Sequence, residues 1–246
     1  MALQQHKQDW EELGRLNPLW SILVYREKWD IEEFFLTGEQ EIQAVMECAM
    51  RLGYPKTHET VLDFGCGVGR LTRALSRYFP QCYGVDISES MIAKAKELNQ
   101  LVTECMFVLN YEPHLRIFSD SSFDMIYTNI VLQHIPDARI IKAYIAEFIR
   151  LLKTDGLLVF QLPSYIPFHR HLMIQKKLYR LLREAGISEQ FLYRKLRLYP
   201  IHMTYIPEKD IVAYLNAEGA RLLEVHADNA VPPPLRSCTY YVTKQD

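Results

Sequence analysis

Apolar positions along this chain switch repeatedly between two periods. The first clear switch begins at Val61, where Val61-Leu62-Asp63-Phe64 forms a short apolar run of the kind buried on both faces of a parallel sheet. Beyond three alternating glycines the spacing becomes helical, with Leu71, Ala74, Leu75 and Tyr78 on one face. The alternation then repeats. Residues 82–86 read as a second strand, followed by a helix over Glu89–Leu98 with Ser88 as its N-cap. Residues 106–109 read as a third strand and Phe123–Thr128 as a fourth. A helix follows from Pro136-Asp137 to about Lys153, with Ile141, Tyr144, Ile145, Phe148 and Leu152 facing inward. A fifth strand over 157–162, a helix over 207–218 ended by Gly219, and strands over 221–226 and 238–243 complete the pattern. Strands alternating with helices predict a doubly wound α/β sheet.

Two stretches fall outside this alternation. Residues 1–53 read as helical, with Leu13, Leu16, Leu19 and Trp20 on one face and Ile22, Tyr25, Arg26 and Trp29 repeating the spacing. Thr37 or Gly38 is expected to separate these from a helix that runs to about Leu52 and closes at Gly53-Tyr54-Pro55. Residues 165–205 are an insertion after the fifth strand and read as two helices, over 168–185 and 189–197. The insertion holds eight lysines and arginines against two glutamates, a formal +6 in a chain whose net charge is −2. The expected organisation is one domain: a helical extension (1–53), a core (54–164), a helical lid (165–205) and a last helix with two strands (206–246).

Chemistry concentrates in the glycine turn. Gly65, Gly67 and Gly69 let backbone approach a ligand closely. A dinucleotide fingerprint would need a third glycine where Arg70 stands. Asp86 ends the second strand 17 residues beyond Gly69, where a carboxylate can accept hydrogen bonds from ribose hydroxyls. The form Asp63-x-Gly65-x-Gly67-x-Gly69, the run Gly84-Val85-Asp86-Ile87-Ser88, and Phe123-Asp124-Met125-Ile126 leading to Val131-Leu132-Gln133-His134-Ile135 together resemble the class I S-adenosylmethionine-dependent methyltransferases.

That resemblance implies a Rossmann-like, doubly wound, seven-stranded, mostly parallel sheet with S-adenosyl-L-methionine at the carboxyl ends of its strands. The implied cofactor residues are Asp63 near the amino group, Gly65, Cys66, Gly67 and Gly69 along the methionine end, and Asp86 with Ile87 at the ribose. Met91, Asn110 and Tyr111 fall around the adenine, and Asn129, Ile130 and His134 beside the methyl donor. His134 is the candidate general base, with His169, His171 and His202 behind it. An N-terminal helix in this family often walls the substrate pocket, which makes Tyr25, Arg26 and Trp29 candidates there, with His202. Packing against the sheet is the competing role for Trp29.

Composition narrows this further. The five cysteines are odd in number and show no C-x-x-C pair, so neither a disulfide framework nor a zinc site is expected, and transfer is expected to be metal-independent. No secretion signal or apolar run of spanning length is read, which predicts a cytoplasmic protein. No Asp/Asn-Pro-Pro-Tyr tetrapeptide follows the fourth strand, which disfavours nucleic-acid bases as acceptors. The expected acceptor is a small molecule, O- or N-methylated, with the basic lid favouring an anionic one or one held on an acyl carrier protein. The alternative is a non-catalytic relative that keeps the cofactor site as a partner domain. A nicotinamide dehydrogenase is disfavoured by Arg70.

Overall fold

A computed structural model of the chain describes residues 2–26, 28–167, 174–196, 198, 203–228 and 234–244. Its strands are β1 (Thr60–Phe64), β2 (Gln81–Asp86), β3 (Cys105–Leu109), β4 (Phe123–Thr128), β5 (Leu152–Tyr165), β6 (Ala220–Ala227) and β7 (Arg236–Lys244). They form one sheet in the order β3-β2-β1-β4-β5-β7-β6. β3, β2, β1, β4 and β5 pair in parallel, and β7 runs antiparallel to β5 and β6. This is the doubly wound sheet that the alternation predicts, in the Rossmann-like, seven-stranded, mostly parallel form that the resemblance implies. The strand order reverses between the neighbouring strands β1 and β4, so a crevice opens at their carboxyl ends.

The period of two along each strand divides the core. Val61, Met125, Leu157 and Tyr241 face one side, against Ile42, Met46 and Ala49 of α3 (Ile31–Leu52) and Leu71, Ala74 and Leu75 of α4 (Arg70–Leu75). Leu62, Ile126, Leu158 and Tyr240 face the other, against Ile141, Ile145 and Phe148 of α6 (Ala138–Leu151) and Ile211 and Leu215 of α9 (Glu208–Ala217). α5 (Glu89–Leu98) covers the β2–β3 end through Ile92 and Ala95, which meet Phe107. At the opposite end of β4 the Asp124 carboxylate accepts hydrogen bonds from the Glu59 and Thr60 amides and from Lys153. Burial pushes this carboxyl up, but bonds from Thr57, Lys153 and Thr60 outweigh it and hold it at about 2.

Two expectations change. The Thr37-Gly38 pair does not break the long helix, and α3 runs unbroken from Ile31 to Leu52, capped by Asp30. Gly38 serves the helix crossing, because a Cβ there would lie 2.7 Å from the Arg70 carbonyl oxygen. β5 is longer than its apolar stretch, because the chain passes from α6 at Leu151 directly into sheet pairing at Leu152. The described helices of the insertion pack on the N-terminal extension. These helices, α7 (Ile174–Glu184) and α8 (Glu189–Arg194), pack through Tyr179 and Leu192 on Leu13 of α1 (Ala2–Leu16), with Trp10 and Leu16 alongside. Lys176 pairs with Asp9 at 3.2 Å, and the Tyr179 hydroxyl bonds Glu12. α2 (Pro18–Ile22) turns the chain back toward the crevice. Among the described residues no helix is long and apolar enough to cross a membrane.

Candidate functional site

The crevice is bounded by the loop after β1, the end of β2 and the segment after β4. Gly65 and Cys66 both donate backbone hydrogen bonds to the Val85 carbonyl, at 2.7 and 3.0 Å, which folds the loop back over β2. Gly65, Gly67 and Gly69 all hold positive φ, between 54° and 83°. At Gly67 the requirement is also steric, since a Cβ would meet the Ile22 side chain at 2.6 Å.

Asp86 ties this loop to the next helix. One oxygen accepts from the Gly67 amide and the other from the Ser88 amide, both at 2.9 Å. Burial pushes its pKa above the ordinary carboxylate value, although both amides oppose the shift. Each oxygen keeps a further lone pair, as a diol partner requires. Ile87 and the buried Met91 line the wall beyond it. Asn110 also lines the crevice, and its amide donates to the carbonyls of Glu112 and His114. Its N–H groups are therefore committed, and its oxygen remains as an acceptor.

After β4 the chain is held by amides and one carboxylate. Asn129 donates to Glu41 of α3 at 2.6 Å. Ile130 has φ 59°, a left-handed conformation that β-branched residues rarely adopt. Its amide donates to Gln161 at 3.1 Å, which holds the strained turn in place. His134 belongs to a single 3₁₀ turn, Leu132–His134, is buried, and has its Nε2 3.2 Å from the Gln133 amide nitrogen. The Trp10 indole meets the His134 ring edge-on at 5.4 Å.

Ten of the sequence-predicted cofactor residues line this crevice together: Gly65, Cys66, Gly67, Asp86, Ile87, Met91, Asn110, Asn129, Ile130 and His134. Three lie off its wall. Asp63 is buried, accepts a 2.6 Å bond from the Thr72 hydroxyl, and is pushed by burial to about 7. Gly69 is the N-cap of α4. Tyr111 is outside, with Lys7 over its ring and its hydroxyl on Glu89. The Cys66 thiol is raised by burial and is no thiolate nucleophile.

The substrate-side candidates are placed elsewhere. Tyr25 is 65% exposed, Arg26 pairs with Glu33 on the surface, and the Trp29 indole donates to the Leu23 carbonyl within a small apolar cluster. None of the three lines the crevice. His169, His171 and His202 lie outside the described residues. The wall comes instead from Leu3, His6 and Trp10 of α1 and from Ser21 and Ile22 of α2. Leu3, His6 and Trp10 have the spacing of one helix face, and that signal was legible in the sequence.

The crevice holds about 1040 Å³ of empty space, counting its open mouth. Its polar groups suit an adenosyl amino acid: the half-buried Asp86 carboxylate for a diol, an amide oxygen for an exocyclic amine, and Arg70, whose two terminal nitrogens already meet Glu41 and Thr37, for a carboxylate. Arg70 lines the crevice, and its Nε is a buried donor with no partner in the protein.

A sequence model described as a methyltransferase domain matches residues 38–225. The chain is 29% identical over 154 residues to the trans-aconitate 2-methyltransferase of Enterobacter sp. (strain 638), covering 61% of this chain and 57% of that protein. It is 30% identical over 143 residues to the malonyl-[acyl-carrier protein] O-methyltransferase of Bacillus anthracis, covering 56% and 51%. The matched part is thus only about half the length of these curated relatives. Among solved structures, the magnesium protoporphyrin IX methyltransferase of Synechocystis PCC 6803 has the same fold, with a TM-score of 0.65, 18% identity and full coverage of both chains.

Proposed function

The chain belongs to the methyltransferase-domain family, whose sequence model spans most of it, and from that membership we propose that it transfers a methyl group from S-adenosylmethionine to a carboxylate oxygen of a small acid, free or carrier-bound. S-adenosylmethionine supplies a methyl already activated by its sulfonium. The residues on the crevice wall therefore need only bind, orient and exclude water.

The observation that carries the cofactor reading is Asp86. Its half-buried carboxylate ends β2 on the crevice wall, braced by the Gly67 and Ser88 amides, and suits ribose hydroxyls. Asn110 then receives the adenine amino group, with Ile87 and Met91 against the ring. Arg70 and the glycine loop take the methionyl carboxylate.

On the acceptor side, Trp10, His6 and Leu3 face His134 and Ile130. A carboxylate acceptor is ionised at neutral pH and loses no proton on methylation, so it needs no general base. His134, held between Trp10 and Gln133, orients the acid. Two relatives are named for acceptors that carry carboxylates, trans-aconitate and malonyl-[acyl-carrier protein]. The lid adds exposed Lys177, Arg180 and Lys195 above α1, which favour an anionic acceptor. Incubation of the purified chain with methyl-labelled S-adenosylmethionine and a panel of small di- and tricarboxylic acids, free and carrier-bound, tests this. Methyl esters release their label as volatile methanol in base. Transfer confined to amines or phenols, with alkali-stable label, would refute the carboxylate reading while keeping the cofactor.

A further inference from the structure

On the face of the sheet that carries α3, at the β6 edge, three side chains of metal-ligand type converge. Cys48 lies in the last turns of α3, and Glu224 and His226 lie on β6. The His226 Nε2 is 2.6 Å from Glu224 Oε1 and 4.0 Å from Cys48 Sγ, and the ligand atoms of all three lie within 4.8 Å of one another. None of the three lines the crevice.

The strand is bent to make this arrangement. Leu222 pairs with Val242, but Glu224 pairs with Tyr241, so one extra residue is accommodated between Leu222 and Glu224. Without that bulge, Glu224 and His226 would share the face of Leu222, on the opposite side of the sheet. A bulge that re-aims two side chains toward a buried thiol is a designed feature of a strand, not a packing accident.

A cation already occupies the cluster. Arg51, one turn beyond Cys48, has Nη2 3.2 Å from the Cys48 sulfur and 2.7 Å from Glu224 Oε2. Its side chain is 57% exposed, so it can swing into solvent and leave the ligands behind. The donor set is mixed and borderline-soft, with one thiol, one imidazole and one carboxylate. That set matches Zn²⁺, whose bonds of about 2.0–2.3 Å to nitrogen, oxygen and sulfur need only small side-chain rotations here.

We propose that Cys48, Glu224 and His226 form a Zn²⁺ site with water in the fourth position. On binding, Cys48 gives its proton to solvent and Arg51 withdraws. The site joins the end of α3 to the edge strand β6. It lies seven residues along α3 from Glu41, the residue that meets Asn129 at the crevice, so the metal fixes the helix that holds that end of the site.

The test uses the purified, chelator-treated full chain. Calorimetric titration with Zn²⁺ is expected to show one equivalent bound. Titration with Co²⁺ is expected to show thiolate-to-cobalt charge-transfer absorption in the near ultraviolet. Cys48→Ser removes that band, His226→Ala weakens Zn²⁺ affinity by at least about tenfold, and Arg51→Gln tightens it. His226 is half-exposed, so its variant keeps the test valid if Cys48→Ser folds poorly. A wild-type chain without the band, or a His226→Ala chain that binds Zn²⁺ as tightly as wild type, overturns the proposal.

Discussion

Glu41 Oε2 lies 2.8 Å from Arg70 Nη2, and the second oxygen of the same carboxylate accepts hydrogen bonds from the Tyr127 hydroxyl at 2.8 Å and from Asn129 at 2.6 Å. Arg70 is the residue that breaks the dinucleotide fingerprint, and its side chain is only 5% exposed. A helix from outside the sheet therefore supplies the counter-charge for the first residue of α4. Glu41→Ala leaves that guanidinium buried and unpaired. Its expected cost in urea unfolding is about 3 kcal/mol. A double-mutant cycle with Arg70→Met should return a coupling of at least about 1 kcal/mol. Additive single effects would show that the pair does not act as a unit.

Asp86→Ala is expected to weaken S-adenosylmethionine binding by about 1–3 kcal/mol in calorimetry, because two ribose hydroxyls lose their acceptor. Asp86→Asn keeps one acceptor oxygen and should lose less. Equal affinities for wild type and Asp86→Ala would remove Asp86 from the cofactor site.

Trp10 and Tyr25 separate two readings of the N-terminal extension. Trp10 lines the crevice against His134, whereas Tyr25 is exposed and faces Trp29. Trp10→Ala should raise the KM for the acceptor by about tenfold, the effect of roughly 1.4 kcal/mol of lost contact. Tyr25→Ala should leave both kcat and KM within about twofold. The reverse pattern in steady-state kinetics would return the substrate wall to the stretch around Tyr25.

Asp63 gives a pH signature. Burial raises its pKa from 3.8 to about 7 in the folded chain, so across that window the folded state holds a proton that the unfolded state has lost. Asp63 therefore makes stability fall as pH rises through the window, and its unfavourable contribution is complete above about 7. Asp63→Asn cannot ionise, and its urea midpoint should decline less between those pH values than that of wild type. Parallel profiles for the two proteins would show that Asp63 titrates normally.

The sheet and one side of the crevice were legible in local patterns of the chain. Strand runs, glycines and the carboxylate after β2 are local in the chain, so period and spacing were enough to find Gly65, Gly67, Asp86 and the segment Asn129–His134. Tertiary structure decided what those residues face. Whether an aromatic at Trp10 or at Trp29 reaches the crevice depends on how α1 and α2 fold back, and their helical spacing is the same in either case. Glu41 meets Arg70, and Cys48 meets His226, across 29 and 178 positions. No local pattern records such pairs, because the contact exists only after a helix has crossed the sheet and a bulge has turned a strand. Gly38 shows the same division: its sequence reads as a helix break, and only the Arg70 backbone pressed against it shows why a glycine stands inside an unbroken helix.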